Sequence, residues 1–142
     1  MADASIHNSP VRVLVVDDFE PWRQQVRNST LRWMPHALVV EASDGLEAVR
    51  VAPELQPDLV LLDIGLPSLN GIEVAHRVCK TVPDAKVLFL SQEKDADVVR
   101  AALNNGAKGF VLKLDAGSEL LPAIEAVLRD EVFVSSRVRD IA

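Results

Sequence analysis

Cysteine and basic residues are both scarce in this sequence, and each shortage excludes a class of protein. Cys79 is the single cysteine among 142 residues, so a disulfide framework and a thiolate metal centre are excluded. The 15 lysines and arginines are outnumbered by 21 aspartates and glutamates, which gives a formal net charge of -6. Because a nucleic-acid-binding surface needs a basic face, we expect no direct binding of nucleic acid by this chain.

Long apolar runs are also missing. No stretch approaches the roughly 20 apolar residues of a membrane-spanning helix. The first residues, "MADASIHNSP", lack the basic start and the apolar middle of a signal peptide. We therefore expect a cytoplasmic protein with no membrane partner. The remaining composition, 49% hydrophobic and 25% charged, is typical of one compact domain with a hydrophobic core.

Short apolar runs alternate with helical patterns along most of the chain. The runs predict strands at residues 11–16, 37–42, 58–63, 85–91 and 108–113. Pro21 suits the first turn of the first helix, Asp44–Gly45 opens the second, and Asn105–Gly106 predicts a left-handed end to the fourth. In the fifth helix we expect Ser118 or a neighbour as the cap, with Pro122 in the first turn or at a slight kink.

This alternation predicts an α/β domain over residues 11–130, with helices on both faces of a parallel five-stranded sheet. Residues 1–10 are expected to form an N-terminal tail. Residues 131–142 do not continue the repeat, and we expect a C-terminal extension or the start of a linker there. Strand two ends at Ala42 and Ser43, which offer little chemistry. A strand order of 2-1-3-4-5 explains this, because it places strand two at an edge and reverses the order between strands one and three.

The carboxyl ends of the other four strands carry reactive side chains. Strand one ends in Asp17 and Asp18, strand three in Asp63, strand four in Ser91 and strand five in Lys113. Ligands of open α/β sheets bind beyond these ends, where the strand order reverses, so we expect these side chains to meet in one crevice. Three crowded carboxylates repel one another, which either raises their pKa values or favours a bound cation. Hard oxygen ligands suit Mg²⁺.

A carboxylate, a lysine, a hydroxyl and Mg²⁺ form a set suited to receiving a phosphoryl group. Lys113 supplies a movable positive charge for a phosphate oxygen, and Ser91 supplies a hydroxyl. Asp63 is the natural acceptor, because an ionised carboxylate can attack phosphorus once the metal and the lysine neutralise the incoming oxygens.

The sequence resembles the receiver domain of two-component response regulators over roughly residues 11–130. The matching segments are "VLVVDD", "DLVLLDIGLPSLNG", "VLFLSQ" and "AKGFVLK". The resemblance implies a flavodoxin-like (βα)5 three-layer sandwich, a Mg²⁺ cofactor, and phosphorylation by a sensor histidine kinase or a phosphotransfer protein. It also implies a signalling domain and not an enzyme, since a receiver catalyses only its own phosphorylation and dephosphorylation.

The resemblance assigns the metal-binding and phosphate-accepting roles position by position. Asp18 matches the direct metal ligand, and Asp17 matches an acidic partner that acts mostly through water. Asp63 matches the phosphoacceptor, which also contacts the metal. The backbone carbonyl of Gly65 matches a further protein ligand to the metal.

A second group of matching residues implies a switch. Ser91 matches the switch hydroxyl, Phe110 the switch aromatic and Lys113 the phosphate-sensing lysine. Together they imply that phosphorylation alters the face formed by the fourth helix, the fifth strand and the fifth helix, where we expect the regulated partner to bind. Glu93 lies where receivers tune the lifetime of the phosphoryl group, although a solvated loop carboxylate explains its position equally well.

The wording "DIGLPSLNG" and "GAKGFVLK" is most similar to the LuxR/FixJ-type branch, whose members usually carry a C-terminal helix-turn-helix domain. Leu114 follows the lysine where many receivers have a cis-proline, so we expect a trans peptide there. The 142 residues contain no match to the helix-turn-helix domain, which leaves a stand-alone receiver or a receiver fragment as alternatives. A homodimer is a further candidate assembly.

Three other interpretations fit the sequence less well. A flavodoxin-like FMN binder needs a Ser/Thr/Gly-rich phosphate loop after strand one, where this chain has "DDFEPW". A haloacid-dehalogenase-type phosphatase needs a D-x-D-x-T motif, which is missing from the ends of strands one and three. A pseudo-receiver that acts only by binding partners is disfavoured because every active-site position is retained.

Among the remaining residues, Trp22 and Trp33 are expected in the core, and Cys79 is expected as a buried small hydrophobic residue.

Overall fold

The computed structural model describes residues 9–140. The predicted tail, residues 1–10, therefore lies almost wholly outside the described residues. The strands are β1 (Arg12–Val16), β2 (Leu38–Ala42), β3 (Leu59–Leu62), β4 (Lys86–Ser91), β5 (Gly109–Leu112) and β6 (Phe133–Val134). The helices are α1 (Glu20–Trp33), α2 (Gly45–Leu55), α3 (Gly71–Thr81), α4 (Ala96–Asn104) and α5 (Ala116–Leu128).

The strands form one parallel sheet with the order β2-β1-β3-β4-β5-β6. The predicted order of the first five strands is confirmed, and so is the flavodoxin-like class. The predicted count of five is wrong, because the C-terminal residues Phe133 and Val134 pair with Gly109 and Phe110 as a sixth strand. A strand of two residues is too short to produce a recognisable alternation of apolar and polar side chains.

Apolar side chains fill both faces of the sheet. One face packs against α1 and α5 around residues such as Val13, Leu61 and Ile124. The opposite face packs against α2, α3 and α4 and contains Phe89 and Phe110. All four residues of β3 are buried, which is the pattern of a central parallel strand covered by helices.

Short polar side chains cap α2, α3 and α4, three of the five described helices. Asp44 accepts a hydrogen bond from the Glu47 N–H, and Asn70 accepts one from the Glu73 N–H, which are the N-cap contacts expected of these residue types. Pro21 lies in the first turn of α1, and α4 ends at Asn104 and is followed by Asn105 and by Gly106, whose φ is 91°. The predicted starts of α1 and α2 and the predicted end of α4 are confirmed.

The start of α5 differs from the prediction. A turn of 3-10 helix, Lys113–Asp115, comes first, and α5 then begins at Ala116. Ser118 does not cap the helix, since its hydroxyl donates to the Asp115 carbonyl from within the first turn. Pro122 lies in the second turn and not in the first. The sequence signal failed because the 3-10 turn lets the chain enter the helix without a side-chain cap.

Two smaller expectations concern single side chains. Trp22 and Trp33 are partly buried and pack against the cluster under α1 and α5, so they border the core and do not fill it. Cys79 is half-buried and not fully buried.

All peptide bonds of the described residues are trans, including the one between Lys113 and Leu114. Within residues 9–140, no helix combines the length and the apolar character needed to cross a bilayer.

Candidate functional site

The loops after β1, β3, β4 and β5 surround a pocket of about 770 Å³ at the carboxyl edge of the sheet. Parallel strands all end at the same edge, so residues distant in sequence meet there. The predicted residues that line the pocket are Asp17, Asp18, Asp63, Gly65, Ser91, Glu93 and Lys113. Phe19, Trp22, Ile64, Gln92, Lys94, Leu112 and Leu114 complete the lining.

Strand register brings the acidic residues together. Val16 pairs with Leu62 in adjacent strands, and the Asp63 N–H donates to the Val16 carbonyl at 3.0 Å. The residues that follow these strands are therefore neighbours. Asp17, Asp18 and Asp63 each place a carboxylate oxygen within 4.8 Å of the other two.

The two members of the Asp17–Asp18 pair have different surroundings. Asp17 is 2% exposed; one of its oxygens accepts the Phe19 N–H at 2.9 Å and the other contacts the Lys113 ammonium. Asp18 is exposed and makes no hydrogen bond or ion pair to another described residue. The carboxylate of Asp18 is therefore free to bind a cation, whereas that of Asp17 is already engaged.

Lys113 reaches both buried carboxylates from the end of β5. Its Nζ lies 2.6 Å from Asp17 Oδ2 and 3.6 Å from Asp63 Oδ2. The side chain of Lys113 is only 14% exposed, so little water screens these contacts. A positive charge at this position would also attract the oxygens of a phosphoryl group.

Burial raises the pKa of Asp63 above its usual value. The Lys113 ammonium opposes this change, and the neighbouring Asp17 carboxylate adds to it. Asp63 Oδ1 accepts a hydrogen bond from the Ile64 N–H at 2.9 Å, which leaves Oδ2 on the side of Lys113. A desolvated carboxylate with one fixed oxygen and one oxygen facing a cation is suited to nucleophilic chemistry.

The start of α3 fixes the backbone of Asp63 from behind. The Gly71 N–H donates to the Ile64 carbonyl at 2.7 Å. A Cβ atom at Gly71 would collide with the carbonyl oxygen of Asp63 and with Cα of Ile64. Only glycine permits this close approach, so the "NG" that ends the loop also positions the aspartate.

Ser91 and Glu93 line the pocket from the loop after β4. Ser91 is 2% exposed, and its Oγ accepts the Glu93 N–H at 3.0 Å. The carboxylate of Glu93 accepts the Asp95 N–H at 2.9 Å, at the start of α4. These bonds connect the pocket to α4 through the backbone.

Phe110 is separate from the pocket. It is fully buried on β5, where its ring lies 6.3 Å from that of Phe89 at an angle of 44°. The structure therefore brings the other predicted site residues to one pocket and places Phe110 in the core beside it.

Trp22 is predicted from the helical spacing to lie in the core, and its contact with the pocket is not evident from that pattern. The Lys113 Nζ lies 5.5 Å from the centroid of a Trp22 ring. Helical spacing alone shows which face of α1 is buried. The position of Trp22 in the first turn was the available signal, since that turn starts at the carboxyl edge where the acidic residues lie.

The three carboxylates are close enough to share one hard divalent cation, and Gly65 contributes backbone beside them. Oxygen donors with room for additional water are the set that suits Mg²⁺. The residues present therefore fit such an ion.

The chain belongs to the response regulator receiver domain family, whose profile matches residues 13–125. It is 36% identical over 129 residues to the transcriptional regulatory protein LiaR of Bacillus subtilis, covering 90% of this chain and 61% of that protein. It is 34% identical over 115 residues to the chemotaxis protein CheY of Listeria monocytogenes, covering 81% of this chain and 96% of that protein.

A solved structure of a LuxR-family two-component response regulator from Aurantimonas sp. SI85-9A1 is also similar. It has a TM-score of 0.85 at 32% identity, with 93% of this chain and 94% of that chain covered. The family and the LuxR-type relationship predicted from the sequence are thereby confirmed. This chain spans less than two thirds of the length of LiaR and nearly all of the length of CheY.

Proposed function

We propose that this receiver domain accepts a phosphoryl group on Asp63 from a sensor histidine kinase or a phosphotransfer protein, in a Mg²⁺-dependent reaction. The single observation that carries the proposal is the cluster of three carboxylates at the carboxyl edge of the sheet, two of which, Asp17 and Asp63, contact Lys113. Membership in the receiver family supports it independently.

In the proposed transfer, a carboxylate oxygen of Asp63 forms a bond to phosphorus while the bond between phosphorus and the donor's imidazole nitrogen breaks. The electron pair of the broken bond stays on that nitrogen. Water later attacks the phosphorus of the acyl phosphate, which releases inorganic phosphate and restores the carboxylate. Apart from taking the phosphoryl group from its donor, the domain therefore changes only its own modification state.

Asp18 and Asp63, with the backbone carbonyl of Gly65, would hold the Mg²⁺ directly, and Asp17 would act through water. Bound Mg²⁺ supplies neutralisation of the negative charge on the phosphoryl oxygens and on the carboxylates. The free carboxylate of Asp18 and the engaged carboxylate of Asp17 support this division.

Lys113 would pair with a phosphoryl oxygen, and the Ser91 hydroxyl would move to donate to another. Moving Ser91 would disturb its bond to the Glu93 N–H and so the start of α4. Space released beside β4 would be filled by Phe110, whose ring already borders Phe89. A packed core of this kind favours two discrete arrangements, so the α4–β5–α5 face would be the regulated surface. Glu93 would tune the phosphoryl lifetime.

The output of the switch depends on the protein that carries it. LiaR is described as a transcriptional regulatory protein, and regulation of transcription is the output we propose if a DNA-binding domain is joined to this receiver. A homodimer is the proposed assembly and the cytoplasm is the proposed location.

The direct test is incubation with acetyl phosphate and Mg²⁺, followed by intact-mass analysis. The wild-type protein should gain the mass of one phosphoryl group, and Asp63→Asn should gain none because the nucleophilic oxygen is replaced by an amide. Asp58→Asn is the matched control, since Asp58 is exposed at the other end of β3 and should be modified like the wild type. An equal modified fraction in Asp63→Asn would exclude Asp63 as the acceptor.

The relay can be tested with beryllofluoride, a mimic of the phosphoryl group, by comparing backbone amide shifts. Ser91→Ala should still bind beryllofluoride, but binding should no longer change the amide chemical shifts of residues 95–115. Shifts like those of the wild type in Ser91→Ala would exclude the relay. If acetyl phosphate does not modify the wild type and beryllofluoride does not change its amide shifts, the protein is a pseudo-receiver.

A further inference from the structure

Trp22 contacts the pocket as well as the core. It lies in the first turn of α1, is partly buried and lines the pocket. The 5.5 Å between the Lys113 Nζ and a ring centroid of Trp22 is within the ~6 Å at which an aromatic face attracts a cation. The ammonium is thus enclosed by Asp17, Asp63 and an aromatic ring.

We propose that Trp22 is a positioning residue, whose ring holds the Lys113 ammonium at the phosphoryl-accepting pocket. The inference rests on the proposed function, in which Lys113 contacts the phosphoryl group. It assigns to Trp22 a role toward the pocket, in addition to its packing against the α1 and α5 face of the sheet.

The physical reason is that the two kinds of attraction respond differently to ligands. Asp17 and Asp63 attract Lys113 because they are negatively charged, and this attraction weakens when a divalent cation neutralises the carboxylates. The quadrupole of an indole ring is unaffected by such a cation. A lysine side chain is flexible, so the ring supplies the contact that keeps Nζ in the pocket while the charges around it change.

The first experiment measures the affinity for beryllofluoride at saturating Mg²⁺ in Trp22→Leu, Trp22→Phe and the matched control Trp33→Leu. Trp33 lies at the other end of the same helix and packs against the same core cluster. We expect Trp22→Leu to weaken binding about three- to tenfold, or ~0.6 to 1.4 kcal/mol. Trp22→Phe should recover part of the loss because a smaller ring still attracts the cation, and Trp33→Leu should bind like the wild type.

A second measurement tests the contact between Trp22 and Lys113 itself and needs no metal. In chelator-containing buffer, the ε-methylene protons of Lys113 should resonate upfield because they lie near the Trp22 ring. The upfield displacement should disappear in Trp22→Leu, persist in part in Trp22→Phe, and remain in Trp33→Leu. Ordinary shifts of the Lys113 protons in the wild type would show that the ring does not face this side chain, and would overturn the inference.

The outcomes distinguish this inference from the function on which it rests. If the wild type fails to bind beryllofluoride but shows the upfield protons, the proposed function is wrong and the contact stands. If the wild type binds and Trp22→Leu binds equally well, the inference is overturned. Equal losses in Trp22→Leu and Trp33→Leu would also overturn it, because packing alone would then explain both.

Discussion

The carboxyl edge of the sheet differs in the pairing of its polar groups from the region formed by β5, β6 and Ser135, which we call the β5–β6 side. At the carboxyl edge, Asp17 and Asp63 share Lys113, and the third carboxylate, Asp18, has no hydrogen bond or ion pair to another described residue. Along the β5–β6 side, buried polar groups have partners. One region therefore leaves negative charge available for a ligand, whereas the polar groups of the other stabilise the fold.

Ser135 is the centre of the β5–β6 side and is fully buried. Its N–H donates to the Phe110 carbonyl at 2.8 Å, and its Oγ accepts the Leu112 N–H at 2.9 Å. The same hydroxyl donates to Glu119 Oε1 at 2.5 Å. One serine therefore joins β5, β6 and α5.

The largest effect is expected from a methyl group placed behind the pocket. In Gly71→Ala, the added atom would meet the backbone of Asp63 and Ile64, which cannot yield, so we expect a loss of about 3 kcal/mol or more in the free energy of unfolding. In Gly109→Ala on β5, the first contacts are the side-chain ends of Leu88 and Val127, and a loss of about 1 to 2 kcal/mol is expected.

Urea unfolding of both variants measures this difference. Gly117→Ala is the control, because a Cβ there has no neighbour within 4 Å and alanine favours a helix. Equal losses of stability in Gly71→Ala and Gly109→Ala would contradict the expectation that the backbone at Asp63 yields less than the side chains around Gly109.

The second effect is stabilisation of the wild type by Mg²⁺. A cation should relieve the repulsion among Asp17, Asp18 and Asp63, and mass action predicts about 2.7 kcal/mol at a free concentration of about 100 Kd. Thermal melts with chelator and with increasing Mg²⁺ test this. Asp18→Asn should abolish most of the response, and an unchanged melting temperature of the wild type at saturating Mg²⁺ would contradict the site.

The third effect is destabilisation on removing the Ser135 hydroxyl. Ser135→Ala leaves the Leu112 N–H and one Glu119 oxygen without that partner, so we expect a loss of about 1 to 3 kcal/mol. Ser136 is exposed and its hydroxyl also donates to Glu119, to Oε2 at 3.2 Å. Because water can replace this exposed bond, Ser136→Ala should change stability by no more than ~0.5 kcal/mol. Similar urea midpoints for the two variants would show that burial of the Ser135 network adds little.

The smallest effect is a gain in stability when Asp63 loses its charge. Burial raises the pKa of Asp63 in the folded protein above the unfolded value of 3.8. Its favourable contribution is therefore present below the unfolded pKa and is lost as pH rises through the folded pKa. In chelator at neutral pH, Asp63→Asn should melt a few degrees higher than the wild type.

That difference should shrink as the pH is lowered toward 3.8, because the wild-type carboxyl becomes neutral as well. Melts of both proteins across this range measure it. A gap in melting temperature that widens on acidification would have the wrong sign and would contradict the cause assigned to the raised pKa.

Much of the pocket could be predicted because its residues end strands. The position of Asp63 follows from an apolar run and a parallel sheet, and the same reasoning places Lys113 at the same edge. The closer contact of Lys113 with Asp17 than with Asp63 could not be predicted, since it depends on side-chain geometry within one pocket. The roles assigned to these residues stay predictions.

The β5–β6 side was missed for a different physical reason. Phe133 and Val134 join the sheet through backbone hydrogen bonds to β5. Almost any residue type can form such bonds, so they cannot be recognised from the sequence. Ser135 is a polar residue in a polar segment, so nothing local distinguishes it as buried. Its role depends on Glu119, a contact across sixteen residues of sequence, which no periodic pattern records.

The pairing of β6 with β5 has a consequence for self-association. An unpaired edge strand exposes N–H and C=O groups that can recruit a strand from another chain. In the described sheet, β5 is covered by β6, and β2 is the edge at the other end. The two-residue β6 offers a template too short for a stable added strand. A strand from another chain could therefore pair more readily with β2 than with β6. The sheet has one protected edge and one edge that is open to such pairing.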